Sequence, residues 1–582
     1  MRLVSLMIVV AACGPKIDRK PPPPGGLAIT NVRVFDGTEV IPRATVVIDG
    51  DRISGVGPDV PVPAGATVID GRGKTLLPGL IDAHAHVYMK EQLEQSLAFG
   101  VTTVLDMFAL PDAVNPLRTD IPTRASLLSA GILATAPGGH GTEYGFEIPT
   151  ISKPEEATAF VDARLAEGSN YIKIVFDNGS AYNIKIPTID AATLRAVIEA
   201  AHARKVMAVV HIGSQDEART AFESGADGIV HLYRDRAPDP DFAKVAVARR
   251  AFVTPTLAVL RTMQGQPSPL VDEPAFAPYL THEDKANLVK QFPISATGPA
   301  RVSELAIAQL RDAKVPILVG TDAPNPGTTY GATLHDELAL LVAAGLTPRQ
   351  ALAGATWSAA QRFGLEDRGR IRPQARADLV LVDGDPTTTI TDTRKIVAVW
   401  HLGTRFDRDA YAKQVASIPK PTEVPATGLA SDFEKDLTPR YGQVWAESTD
   451  TLVGGTSKVK LAVQNGALEI TGTVVANPTA SWAGALWSPG TSMFGPTDLS
   501  ANKGLKFRAR GDGKTSYVVM VFAASRGRVP LRRPFTPGKA FTEHRFAWAD
   551  FDGIDGKDVA AILIGAVAPG AFVLALDDVT LE

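Results

Sequence analysis

Thr75-Leu76-Leu77-Pro78-Gly79-Leu80-Ile81-Asp82-Ala83-His84-Ala85-His86 is an apolar run that stops on two histidines. Residues two apart on a strand face the same way, so both imidazoles can address one ion. The stretch reads as a strand, Thr75–His84, with chemistry at its C-terminal end. The same texture recurs at Val101–Met107, Gly131–Ala136, Tyr171–Phe176, Val206–Ile212, Gly228–Tyr233, Phe252–Val259 and Pro316–Thr321. Helical stretches such as Pro154–Glu167, Ile189–Ala203 and Ser303–Ala313 fall between them. Eight strands alternating with helices predict an α/β fold, a (β/α)8 TIM barrel, whose usual length is ~250 residues; it is placed at residues 77–375.

The polar residues of these strands gather at one end. His84 and His86 close the first strand, Lys173 lies in the fourth, His211 ends the fifth, His231 ends the sixth and Asp322 comes just after the eighth. Barrel enzymes take their catalytic groups from the C-terminal strand ends. A lone strand histidine is ordinarily a core residue, but six ligand-type residues on five strand ends are hard to produce by packing. His202, His282, His401 and His544 fall on helices, loops or β regions outside this pattern and read as structural or surface groups.

His-x-His, a fourth-strand Lys, two single His and a final Asp resemble the amidohydrolase superfamily in its two-metal form. The flanks strengthen the likeness: Thr75 to Asp82 resembles the family's approach to strand 1. Leu346-Thr347-Pro348, Ala355-Thr356, Gly369-Arg370-Ile371 and Ala377-Asp378-Leu379-Val380 resemble its exit from the barrel. Gly138-Gly139-His140-Gly141, Tyr171-Ile172-Lys173 and Leu334-His335-Asp336-Glu337-Leu338 resemble the imidazolonepropionase-like group that includes Xaa-Pro dipeptidases. True imidazolonepropionases use one metal and lack the lysine, so Lys173 argues against that activity.

The resemblance implies two divalent ions, expected to be zinc. One would be held by His84, His86, Asp322 and Lys173, the other by Lys173, His211 and His231. Lys173 would carry carbon dioxide as a bridging carbamate; burial lowers a lysine's pKa and makes it a nucleophilic amine, which suits that chemistry. A bridging water would attack the carbonyl of a C–N amide, with Asp322 as catalytic proton carrier. Tyr233, two residues past His231, would help polarise the carbonyl, and His140 would bind a substrate carboxylate. Small dipeptides, Xaa-Pro among them, are the expected substrates. Lactone or organophosphate ester hydrolysis on the same site is the alternative.

Outside the barrel, residues 27–76 and 376–408 show short β runs broken by turn residues, and the resemblance makes them the family's small discontinuous β-sandwich. Residues 409–427, with Pro419, Pro421 and Pro425, read as a linker. Residues 428–582 are strand-rich, with Gly, Asp, Pro and Ser in the loops, and predict an all-β jelly-roll sandwich. Phe541 to Phe551 and Phe572 to Val579 resemble the complex I intermediate-associated protein 30 family, a galactose-binding-type fold. Trp445, Trp482, Trp487 and Trp548 would either stack a glycan or fill the core.

Residues 1–12 carry one basic residue and a ten-residue apolar run, too short to span a bilayer, which needs ~20 residues. Cys13, the chain's one cysteine, comes directly after Val10-Ala11-Ala12 and resembles a bacterial lipobox. The expectation is a lipid-anchored protein of the bacterial cell envelope, periplasmic or surface-facing, with residues 13–26 as a proline-rich tether. A single cysteine rules out an intrachain disulfide. With 59 basic and 63 acidic residues the chain has no nucleic-acid footprint. A glycan-binding surface lipoprotein with an inactive barrel is the rival class.

Overall fold

The computed structural model describes residues 26–142, 148–292, 297–298, 301–418, 428–450, 455–477, 481–491, 493–523, 530–551 and 554–582. Cys13, most of the tether, and Pro419, Pro421 and Pro425 lie outside them. Among the described residues no helix is long and apolar enough to cross a membrane.

The chain opens with β1 (Leu27–Phe35), β2 (Val40–Asp49), β3 (Arg52–Gly57), β4 (Thr67–Asp70) and β5 (Lys74–Pro78). The predicted strand Thr75–His84 is two strands, broken at Gly79 between β5 and β6 (Leu80–Ala85). A side chain at Gly79 would collide with Thr102, its Cβ lying 2.2 Å from the Thr102 hydroxyl. Glycine therefore allows the chain to leave the outer sheet and enter the barrel here.

The barrel staves are β6, β7 (Val101–Asp106), β8 (Ser126–Ser129), β9 (Ile172–Val175), β10 (Ala208–His211), β11 (Gly228–Val230), β12 (Phe252–Thr254) and the segment 316–321. β6 to β8 and β9 to β12 pair in parallel. Single bridges close the ring: Ala134 with Ile174, Val253 with Ile317, and Ala323 with Ala85. Runs such as Ile172–Val175 and Gly228–Val230 are wholly buried, as strands of a parallel sheet covered on both faces must be. Helices run outside, Ala157–Ala166, Ala191–Ala203 and Val302–Asp312 among them. The third stave differs from the predicted Gly131–Ala136. Ser126–Ser129 pairs with β7, and of the later segment Ala134 bridges to β9.

After the barrel, β13 (Leu379–Asp383), β14 (Ile396–His401) and β15 (Thr404–Arg405) return to the first strands. β13 pairs antiparallel with β5, so both β patches form one eight-stranded sheet. It encloses its own core, in which Val32, Val46 and Leu76 meet Leu379 and Trp400.

The C-terminal region comprises β16 (Gly428–Ser431), β17 (Ala446–Thr449), β18 (Lys458–Gln464), β19 (Ala467–Val474), β20 (Ala483–Trp487), β21 (Gly504–Arg510), β22 (Tyr517–Ala523), β23 (Leu531–Phe535), β24 (Thr542–Ala547), β25 (Val559–Ala566) and β26 (Gly570–Leu581). They form two antiparallel sheets around a common core. Trp445 and Trp487 stack within it, ring centres 5.8 Å apart, and Trp548 is buried too. Three of the four tryptophans thus fill the interior, and only Trp482 is half-buried. They do not form a sugar-stacking face.

Candidate metal centre

The stave ends bring His84, His86, His231 and Asp322 into contact. One Asp322 carboxylate oxygen lies 3.2 Å from His84 Nε2 and 3.0 Å from His86 Nε2; the other lies 4.0 Å from His231 Nδ1. Ligand atoms of His84, His231 and Asp322 all fall within 4.8 Å of one another. The His211 ring centre is 4.5 Å from that of His231, and the His140 ring centre is 4.9 Å from that of His211. Lys173 is buried in β9, close enough to Asp322, His84, His211 and His231 to interact electrostatically with each.

The backbone carries strain at these positions. His231 (φ 66°) and Asp322 (φ 59°) are left-handed non-glycine residues, a conformation that surrounding structure must impose. Gly320 makes part of this possible. A Cβ there would lie 2.8 Å from the His84 backbone nitrogen and 2.6 Å from Thr254 Cγ2, so only glycine lets the eighth stave close on β6.

The amidohydrolase family model matches residues 75–405, more than half of the chain. The chain belongs to the amidohydrolase family. Membership supports metal-dependent hydrolysis of amide-type C–N bonds. An uncharacterized protein of Mycobacterium tuberculosis is 28% identical over 356 residues, 58% of this amidohydrolase and 85% of that protein. The imidazolonepropionase of Streptomyces griseus is 26% identical over 397 residues, 63% and 93% of the two chains. Among solved structures, a Xaa-Pro dipeptidase with bound methionine has a TM-score of 0.52 at 22% identity, covering 66% of this chain and 99% of its own; this likeness speaks to the fold. The complex I intermediate-associated protein 30 family model matches residues 432–557, within the β-sandwich.

The donor set of this amidohydrolase fits divalent cations. The Nδ1 of His84 is buried without a hydrogen-bond partner among the described residues, and its Nε2 faces Asp322. Burial drives His84 down to about 3 and His211 to about 4, and holds His231 well below the usual histidine value. All three are thus neutral imidazoles at neutral pH, the form that coordinates metal. Burial alone would raise Asp322, but its contacts with His84 and His231 outweigh that and hold the carboxyl well below the ordinary range. Burial also brings Lys173 down to about 7, against the pull of Asp322 and Asp106.

Supporting groups that the sequence pattern does not single out fix these ligands, as second partners of metal-site histidines usually do. Asp177, two residues beyond β9, places a carboxylate oxygen 3.3 Å from His211 Nε2. Gly213 leaves room for it, since a Cβ there would lie 2.6 Å from that carboxylate. The Thr256 hydroxyl is hydrogen-bonded to His231 Nδ1 at 2.7 Å. Asp82 accepts from the Thr321 hydroxyl at 2.7 Å and from the His84 amide at 3.1 Å, tying the first stave to the eighth. Tyr330 donates to the His86 carbonyl at 2.5 Å.

No contact among the described residues joins Tyr233 to the cluster. Its ring packs edge-to-face on Phe242 in the barrel's outer core, centres 4.9 Å apart. Its buried hydroxyl has no partner among the described residues, and its charged neighbours are Asp235, Asp239, Arg236 and Arg219. The strand ends at Val230 and His231 is left-handed, so the two-residue alternation that would put Tyr233 beside His231 does not continue.

Proposed function

We propose that this amidohydrolase cleaves the C–N bond of small amides bearing a free carboxylate, dipeptides of the Xaa-Pro type among them. The convergence of His84, His86, His231 and Asp322 beside buried Lys173 carries the hydrolytic reading. The relatedness to an imidazolonepropionase and the likeness to a Xaa-Pro dipeptidase point to C–N bonds. Two zinc ions, one on His84, His86 and Asp322, the other on His211 and His231, with Lys173 as carbamate between them, would supply a Lewis acid for the carbonyl and lower the pKa of water. Asp322 is the proton carrier in this scheme: it takes a proton from attacking water and returns it to the leaving nitrogen. His140, half-buried beside His211, is assigned in this reading to a substrate carboxylate.

The test is a hydrolysis screen on zinc-loaded protein over dipeptides, N-acyl amino acids, lactones and organophosphates, with metal content measured on the same sample. Two ions per chain and turnover confined to the amides are the expected results. Turnover confined to lactones or organophosphates would replace the C–N reading and leave the site standing. A metal-free chain with no turnover would favour the inactive barrel.

We also propose that the protein is a lipoprotein of the bacterial envelope, on the strength of Cys13 after Val10-Ala11-Ala12. Cys13→Ser should shift the protein from the membrane to the soluble fraction, or leave its leader uncut. A variant that is processed and stays with membranes would refute the anchor.

A further inference from the structure

The stretch Leu334 to Leu338 contains three polar side chains that the proposed chemistry does not use. His335, Asp336 and Glu337 are all buried on the helix Ala332–Ala343. Glu337 reaches across to the segment after β12. One of its carboxyl oxygens accepts from the Leu257 amide at 2.9 Å and the other from the Ala258 amide at 2.7 Å. These amides open the short helix Leu257–Thr262 and would otherwise lack partners, since the first N–H groups of a helix have none within it. Asp336 pairs with Arg261 of the same helix, and Arg234 donates to the Leu260 carbonyl.

The residue before that helix is Thr256, at φ 52° and ψ 47°. A β-branched residue avoids this left-handed region unless its neighbours hold it there. Its hydroxyl is the group bonded to His231 Nδ1, and His231 is itself left-handed. A continuous set of contacts therefore runs from the Glu337 carboxyl group through two backbone amides and the Thr256 hydroxyl to an imidazole of the cluster.

We propose that Glu337 is a positioning residue for the metal centre: by fixing the Leu257 and Ala258 amides it holds Thr256 in its left-handed conformation and so sets the His231 ring. The inference rests on the metal-dependent reading of the site, but concerns how one ligand is held and not which substrate is cleaved. Partners that orient a metal-ligating histidine typically change affinity by ~10–100-fold when removed.

The experiment measures Zn²⁺ affinity by competition with a chelating dye, on the full chain, with cooperative unfolding as a control for the fold. Glu337→Gln, which offers one acceptor to the two amides, should weaken Zn²⁺ binding by ~10–100-fold. Thr256→Val should do the same, while Thr256→Ser, which keeps the hydroxyl, should bind as wild type does. Because the two residues act on one ring, Glu337→Gln combined with Thr256→Val should lose little more than Thr256→Val alone. Wild-type affinity in folded Glu337→Gln would overturn the proposal, and so would losses that multiply in the double variant. If Glu337→Gln does not fold, the Thr256 pair decides: weakened binding in Val but not in Ser supports the proposal, and wild-type binding in both overturns it. Failure of the wild-type chain to bind Zn²⁺ would overturn the hydrolase reading itself, and this inference with it.

Discussion

Asp322→Asn should lower kcat by ~10²–10⁴-fold while the folded protein retains part of its metal, because general-base contributions run to that size. Asparagine keeps a carbonyl oxygen at the place where Asp322 now approaches His84 and His86, so a ligand survives. What is lost is the anion that accepts a proton from water and carries it to the leaving nitrogen. The carboxyl is held well below the ordinary range, so it is an ionised base throughout the neutral region. The variant's deficit should therefore be nearly constant across neutral pH. Single-turnover rates at saturating amide substrate, with metal content measured in parallel, check this. Near-wild-type turnover in Asp322→Asn would remove Asp322 from the proton-transfer role.

The staves legible in the sequence are those whose side chains are buried on both faces. Ile172–Val175 and Ala208–His211 are apolar runs with a single polar residue each, and that residue is at the site. Ser126–Ser129 is not legible, because Ser-Leu-Leu-Ser is too short and too polar to stand out beside the apolar 131–136 stretch. The apolar pattern carries the seventh strand through to Val259, whereas the strand ends at Thr254 and a helix begins at Leu257. The first amides of that helix are held by Glu337, 80 residues away, and no local pattern carries such a contact. Tyr233 is misplaced by the sequence for a related reason: alternation holds only while the backbone is extended, and His231 ends that. Asp177 leaves one faint signal, an acidic residue before Asn178-Gly179 directly after a strand bearing the lysine. Its pairing with His211 depends on a neighbouring strand, and so needs the fold.

Lys173→Ala should act differently from Asp322→Asn, losing metal before chemistry. In this variant Asp322 still stands among His84, His86 and His231, but the substitution removes the only side chain proposed to join the two histidine pairs. Zinc content should fall below one ion per chain after dialysis, and turnover should fall with it. Short carboxylates such as acetate or propionate should restore part of both, by placing an anion where the carbamate stood. Wild-type Lys173 carries a second, independent signature. Burial sets its amine at about 7, so about half is unprotonated at pH 7 and nearly all above pH 8. Carbon dioxide adds only to the neutral amine. Reactivation of metal-stripped protein by zinc at fixed dissolved carbon dioxide should therefore rise as pH passes through 7 and level off above 8. Omitting carbon dioxide should abolish that rise. Full activity and two ions in Lys173→Ala would show that the barrel works without the bridge, and would leave the buried lysine to be explained as a counter-charge to Asp322 and Asp106, the two anions that already pull on it.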